Sequence, residues 1–588
     1  MITSTFPQRP RVARVPADHD TETSQLESTW PIRTSSFGFS LSSPLSEGAV
    51  GLPACQLFST IHRLTHLELP TTMVSPASSL CILELPEETL AEIFAFLPRS
   101  VLPPVNLTAK SFHRIARPLL FRDLQIHPYV CIAGYSVLDC PPSGLAIPSE
   151  IHITYLLERL QYWASPDIAP LVRTCSVSPW SNAGIGPMVS RDDSRLWDFH
   201  MYSNVPDPYI LLNTFFDALP SFTSLRTLTL KKVHFRQTAL KQLELLPSGT
   251  TLCVDGGHVI LGEEIDETEL NPLPISQFED IHHRGARDVC LRQWIPRLDP
   301  DILIHLDLTY NPIFIEQILV LTNTFPRVTT LAIELLLHHQ WSAVLAKFPA
   351  TETLSIRRFG ECEELTAPHV SLDKLLPLLK KFTGPSELLE YFLVIPALRR
   401  LSLDSWVPPT PDEIPIYLSR HGMQNIVSMR TKLLRTHEEQ FSYFVAFSTL
   451  CSMFSNLTEL HIDIADETDS DSDKLDEFLL ELELRQAPLP GSLRKLAVDW
   501  LNPFRIQMPA LGTDVLDRMK NIQDTLVSDN PQLGCLWMNG SWIVYLWRRG
   551  SDLVQHCVDV RPIKNSYGFE PEDTKIRREE CSQLWNDF

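Results

Sequence analysis

The feature that most constrains this chain is a recurring six-residue pattern with apolar residues at positions one, four and six. It reads LRTLTL from Leu225, LIHLDL from Leu303, VTTLAI from Val328 and LRRLSL from Leu398. It returns as LTELHI from Leu457, LRKLAV from Leu493 and LGCLWM from Leu533. Weaker copies are VRTCSV from Val172 and TETLSI from Thr351, while LTHLEL from Leu64 and LCILEL from Leu80 also fit. Successive residues of a strand point to opposite faces, so positions four and six enter a core while three and five face solvent. Proline stands shortly before several copies, at Pro170, Pro300, Pro326, Pro349 and Pro396. Helix-like apolar stretches such as FIEQILVLTNTF and WSAVLAKF precede two of them. Proline stops a helix and favours extended backbone in the residue before it, so the unit reads helix, turn, strand.

Stacked units of this kind resemble a degenerate leucine-rich repeat, and the resemblance covers most of residues 165–545 in pattern. It departs from that family in having no asparagine ladder and an uneven period: Val328 and Thr351 stand 23 residues apart, Leu398 and Leu457 stand 59 apart. An irregular α/β domain with some parallel pairing is the plainer alternative. The repeat resemblance implies one continuous binding face, made of positions three and five. Its candidate residues are Thr227, Thr229, His305, Asp307, Arg400, Ser402, Glu459, His461, Lys495 and Trp537; each taken singly also reads as an ordinary solvent-facing residue.

Composition narrows the partners. A formal charge of −21 over 588 residues argues against nucleic acid and anionic membrane as main partners, since both need a basic face. With 44% hydrophobic residues the chain has ample material for a core. Twelve scattered cysteines without a CxxC pair read as reduced thiols of an intracellular protein, in the cytoplasm or nucleus. The opening MITSTFPQRPRVARVP lacks the apolar core of a signal peptide, and no apolar run approaches a membrane span.

Before the repeats stands LELPEETLAEIFAFLPRS, from Leu83 to Ser100. Pro86 suits a first helical turn, Glu87 and Glu88 place negative charge at the positive helix end, and Pro98 closes the helix. Leu90, Ile93, Phe94 and Leu97 fall on one stripe. Beyond it, Thr108 or Ser111 can cap a helix carrying Phe112, Ile115 and Ala116, which Pro118 terminates. This conjunction, continuing through LTAKSFHRIARPLLFRDL, resembles an F-box of the fungal style ending in PLLFR, over Leu83 to Ile126. The resemblance implies a three-helix module that docks onto the Skp-type adaptor of a cullin ubiquitin ligase, with the region after it capturing a substrate. Carried over by position, Leu85, Pro86, Leu90, Ile93, Leu97 and Leu107 are the candidate adaptor-binding residues, and Phe112 and Ile115 match the later part of the motif. Packing inside the module is the competing role for each. Pro103 and Pro104 depart from the family's second helix and are expected to shorten or delay it.

The expected fold class is α/β, a small three-helix F-box module followed by an irregular leucine-rich-repeat-like solenoid. The expected divisions are a poorly ordered region at 1–79, the module at 80–127, the repeats at 128–550 and a tail at 551–588. No nucleophile elbow, phosphate loop, zincin helix or dinucleotide turn occurs, so no catalysis, cofactor or metal is expected. His282-His283 and His338-His339 are adjacent pairs whose side chains diverge. Asp469, Asp471 and Asp473 have the opening spacing of a calcium loop, but Lys474 and Leu480 stand where glycine and glutamate are required. Trp537, Trp542 and Trp547 are expected to pack the terminal repeat. The expected function is a non-catalytic substrate receptor. A repeat scaffold outside ubiquitin ligation is the alternative.

Overall fold

The computed structural model describes residues 85–131, 145–146, 150–179, 209–259, 271–280, 294–309, 323–335, 341–358, 371–406, 421–434, 442–465, 472–484, 489–500, 514–540, 544–549 and 555–557, with Ile318 and Val320, apart from isolated positions inside these stretches. All belong to the second of two compact units, Leu85–Phe588, and none to the first, Met1–Glu84. LTHLEL, LCILEL, the two histidine pairs, Asp469, Asp471 and Trp542 lie outside the described residues.

The fold is α/β, organised by one sheet of sixteen strands. In chain order these are β1 (Asp123–Ile126), β2 (Thr174–Val177), β3 (Thr227–Lys231), β4 (Thr250–Asp255), β5 (Ile275–Asp280) and β6 (His305–Leu308). There follow β7 (Thr330–Leu335), β8 (Thr353–Arg358), β9 (Lys381–Gly384), β10 (Arg400–Trp406) and β11 (Ser428–Leu434). The last are β12 (Glu459–Ala465), β13 (Lys495–Trp500), β14 (Cys535–Gly540), β15 (Val544–Arg548) and β16 (Gln555–Cys557). Spatial order equals chain order; β1 to β14 are parallel, and β15 and β16 run antiparallel. Parallel neighbours require a crossover each time. The connections carry helices α4 (Glu150–Trp163), α5 (Ile210–Ala218), α6 (Gln237–Leu243), α7 (Trp341–Leu345), α8 (Leu372–Leu375), α9 (Leu389–Phe392), α10 (Tyr443–Met453), α11 (Ser472–Glu483) and α12 (Asp514–Asp529). Ahead of the sheet stand α1 (Glu87–Ala95), α2 (Leu102–Thr108) and α3 (Lys110–Leu120).

The core follows the six-residue pattern. In the copies from Leu225, Leu303, Val328, Leu457, Leu493 and Leu533, the residues at positions one, four and six are all buried. Thr351 fills position one with a hydroxyl, which donates to the Phe348 carbonyl at 2.8 Å. A further position, overlooked in the sequence, belongs to the unit. Three residues before position one a buried apolar side chain recurs: Phe222, Phe325, Phe348, Leu376, Ile395, Met423 and Phe454. Its carbonyl accepts the N–H of position one, as in Leu225 to Phe222 at 3.0 Å and Leu457 to Phe454 at 3.2 Å. Thus one turn both satisfies the backbone and plants a side chain under the strand. In the last unit this place holds Asn530, whose amide donates to the carbonyls of Pro490 and Leu493 at 3.0 and 3.1 Å.

Part of the uneven period comes from strands that break the pattern. Register places position one at Leu225, Gly249, Ile275, Leu303, Val328, Thr351, Leu379, Leu398, Ile426 and Leu457. The steps between them are 24, 26, 28, 25, 23, 28, 19, 28 and 31 residues, while outside this stretch they stay longer, 53 from Val172 to Leu225, 36 from Leu457 to Leu493 and 40 from Leu493 to Leu533. Gly249 has φ of 87°, a conformation that excludes an apolar side chain there at little cost. Gly384 occupies position six of β9 because a Cβ would stand 2.8 Å from the Ile356 carbonyl oxygen and 3.0 Å from the Phe382 ring.

The helical region corrects three expectations. Pro118 lies inside α3 rather than ending it, and the helix runs on to Leu120, where the Phe121 N–H still reaches the Arg117 carbonyl at 3.1 Å. Neither Thr108 nor Ser111 caps α3; Ala109 is its N-cap, and the Thr108 hydroxyl turns back to the Val105 carbonyl at 2.7 Å. Pro103 and Pro104 do not delay α2, which starts at Leu102, because prolines in a first turn forfeit no intrahelical donor. The helix is short, at seven residues. Nor does the expected boundary after residue 127 separate module from sheet, since β1 lies before it and pairs with β2. Phe121 packs edge-on against Tyr162 and Trp163 of α4, with centroids 5.9 and 5.2 Å away.

Candidate interaction surfaces

The first surface belongs to α1–α3. Leu90 and Phe94 of α1, Leu102 and Val105 of α2, and Ile115 and Ala116 of α3 turn inward and are buried. Phe94 meets Phe112 edge-on at 5.2 Å. The Arg99 guanidinium donates to the carbonyls of Leu120 and Asp123, at 3.1 and 2.6 Å, fixing the α1–α2 turn against the start of the sheet. With that interior closed, Phe96 and Leu107 remain 88% and 84% exposed, and Ile93 is 37% exposed. Of the residues singled out for docking, Ile93, Leu107 and Pro86 therefore lie at the surface, and Leu85 and Leu97 are half-buried. Leu90 is 3% exposed, which removes it from any surface, while Ile93 lies further round the helix. Phe96 was missed because it lies off the stripe, at the C-cap of α1.

The second surface is the outer face of the sheet. Parallel register aligns the candidate residues in two rows, Thr227, His305, Arg400, Glu459 and Lys495 in one, Thr229, Asp307, Ser402 and His461 in the other. All of these are partly or fully exposed. Trp537 is the exception at 5% exposure: it sits between Asp499 of β13, which accepts from its indole, and the buried Leu546, its register partner on β15. Neighbours along the rows bond to each other. Thr251 Oγ1 donates to Gln277 Oε1 at 3.0 Å, Cys253 Sγ to Glu279 Oε2 at 3.3 Å, and Lys495 Nζ lies 3.0 Å from Glu459 Oε1. Burial, together with the Glu279 carboxylate, pushes the Cys253 thiol up to about 12, so it stays protonated.

Near the C-terminal end these rows converge on one cluster. His461 and Asp463 are two residues apart on β12, on one face, and Asp499 of β13 is the register partner of Asp463. His461 Nε2 lies 2.5 Å from Asp499 Oδ2 and 3.2 Å from Asp463 Oδ1. The other oxygen of each carboxylate is held from outside. Asp463 Oδ2 accepts from Arg430 Nε and Nη2 at 3.2 and 3.0 Å, and Asp499 Oδ1 accepts from Trp537 Nε1 at 2.8 Å. Burial alone would push His461 down, but hydrogen bonds to both carboxylates, with their charges, carry it above the ordinary histidine value. Burial also works to raise Asp463, yet His461 and Arg430 together hold it below the usual carboxylate range. Alternation from His461 puts Asp463 on the same face, but nothing local signals that Asp499 joins them, because that meeting depends on the register of two strands whose aspartates stand 36 residues apart.

A cavity of about 270 Å³ opens between β1 and α4, walled by Leu124, Ile126, Leu156, Leu160, Trp163 and Leu211, with Gln125, His127 and Arg159 as its polar residues. The His127 ring bonds through Nδ1 to the Ser178 carbonyl at 2.9 Å. Among the described residues, no helix is long and apolar enough to cross a membrane. Comparison with known proteins finds no family model that matches this chain and no curated protein similar to it.

Proposed function

We propose that the chain is a non-catalytic substrate receptor, in which α1–α3 act as an F-box that grips a Skp-type adaptor and the sheet presents a protein target. The observation that carries this reading is the division of apolar residues in α1–α3. Six of them close a small interior, while Ile93, Phe96 and Leu107 are left facing solvent. Exposed large apolar groups on a well-closed module favour a docking role over internal packing. The parallel strands, added in chain order with a helix-bearing return, support a leucine-rich-repeat-like solenoid, whose strand faces commonly bind partners. Such a receptor accelerates ligation by proximity and needs no catalytic group of its own.

Co-expression of the full chain with a Skp-type adaptor, followed by affinity purification, tests the proposal. The expected result is a stable complex that is lost in the double variant Phe96→Asp and Leu107→Asp, with an unchanged far-UV circular dichroism spectrum. Absence of a complex with the folded wild-type chain overturns the receptor reading and leaves the repeat scaffold in its place.

A further inference from the structure

The cluster on β12 and β13 poses an electrostatic question. Asp463 and Asp499 stand directly opposite each other on adjacent strands and on the same face, an arrangement that costs energy unless positive charge lies between them. Their inward oxygens and His461 Nε2 form a set of three donor atoms that all lie within 4.8 Å of one another. The outward oxygens are already committed, to Arg430 and to Trp537. Each carboxylate is therefore oriented by a second group while its other oxygen faces His461 Nε2, as supporting residues orient ligands around bound metals. Both strands hold their places by the ladder, so the donors are positioned before any ligand arrives.

We propose that His461, Asp463 and Asp499 form a binding site for a divalent transition-metal ion of the zinc class, with its fourth coordination position open to solvent on the outer face of the sheet. One imidazole nitrogen and two carboxylate oxygens suit such an ion, which binds these ligands at about 2.0–2.2 Å and accepts tetrahedral geometry. Tetrahedral bonds of that length set donor atoms about 3.3 Å apart. The His461–Asp463 separation of 3.2 Å already matches, and the His461–Asp499 pair at 2.5 Å has to open by less than an ångström. Without the ion, a proton on His461 Nε2 sits in its place between the two carboxylates. Partial exposure of all three side chains, at 19%, 31% and 15%, leaves room for water or a partner's donor group at the open position. The site does not depend on the receptor reading.

The test is titration of chelator-treated full-length protein with zinc by calorimetry and with cobalt by visible absorption. One equivalent is expected to bind, with the d–d bands of cobalt in a tetrahedral nitrogen–oxygen field. Asp463→Asn and Asp499→Asn, near-isosteric exchanges that leave the strands intact, are each expected to weaken binding more than tenfold, and His461→Gln to act likewise. Trp537→Phe, which removes only the outer support of Asp499, should weaken it about tenfold. Failure of the wild type to bind, or equal binding by the triple variant, overturns the proposal. Equal binding would place the ion on other ligands in the chain.

Discussion

Gly384 offers a sharp test of how the units pack. Most units place a large apolar residue at position six, so replacing Gly384 with leucine looks like a repair of the pattern. The structure predicts the opposite, and even alanine should destabilise. Removing a glycine stiffens the unfolded chain and ordinarily stabilises by about 0.4–1 kcal/mol. Against that, the new Cβ would lie 2.8 Å from the Ile356 carbonyl oxygen, a backbone atom of β8 held opposite β9. It would also stand 3.0 Å from Phe382 Cζ, and that ring cannot swing away because it stacks on Phe392 with centroids 4.1 Å apart. Overpacking of this kind costs about 1–3 kcal/mol, so the net expectation is a loss of roughly 1–2 kcal/mol for alanine and more for leucine. Urea denaturation followed by circular dichroism measures it, with Gly491→Ala as the internal control. Gly491 is exposed, and nothing lies within 4 Å of its would-be Cβ, so that variant should be neutral or slightly stabilised. Equal midpoints for the two alanine variants would refute the packing argument for β9.

Two further perturbations address buried charge. Glu244 and Arg297 meet at 2.8 Å with side chains only 13% and 5% exposed, so Glu244→Leu strands a buried guanidinium and should cost about 3–5 kcal/mol. Pairing it with Arg297→Leu should recover part of that loss in urea unfolding; a double variant no more stable than the single one contradicts the reasoning. His127 is held below the ordinary histidine value by burial and by the nearby Arg159 charge, although the Ser178 carbonyl works the other way. The unfolded chain then takes up its proton first, so the contribution is complete above about pH 6.5 and fades as pH falls through the lowered folded value. His127→Gln should flatten the dependence of melting temperature on pH in the acid range, and an unchanged slope argues against it.

The strands were legible where side chains did the specifying, and lost where backbone did. Nine copies of the pattern became nine parallel strands, because burial at positions one, four and six is written in residue type. Of the five others, β1 belongs to FRDLQI from Phe121, which fits the pattern but lies within the F-box resemblance. Gly249 and Gly384 stand where the backbone needs a left-handed turn or has no room for a Cβ, and Thr431 places a fully buried hydroxyl at position six of β11. The apolar residue three places upstream carries no visible period because the turn between it and position one hides their common destination. For the interaction surfaces, alternation identified the outer face but not its chemistry. His461 meets Asp499 only through the pairing of β12 with β13, which no local pattern encodes. Trp537 obeyed the alternation and is still buried, since its face of the sheet continues onto the reversed strand β15, where Leu546 stands beside it.

That reversal has its own consequence. A sheet that extends by adding each strand to the last is an open-ended polymer of its units, and its final edge is a template for a stranger's strand. Here the chain supplies its own terminator. After the six residues of β14 the direction switches, and among the described residues the outermost strand, β16, is three residues long. The described edge at that end is therefore short and antiparallel, where continuing the series takes a parallel partner.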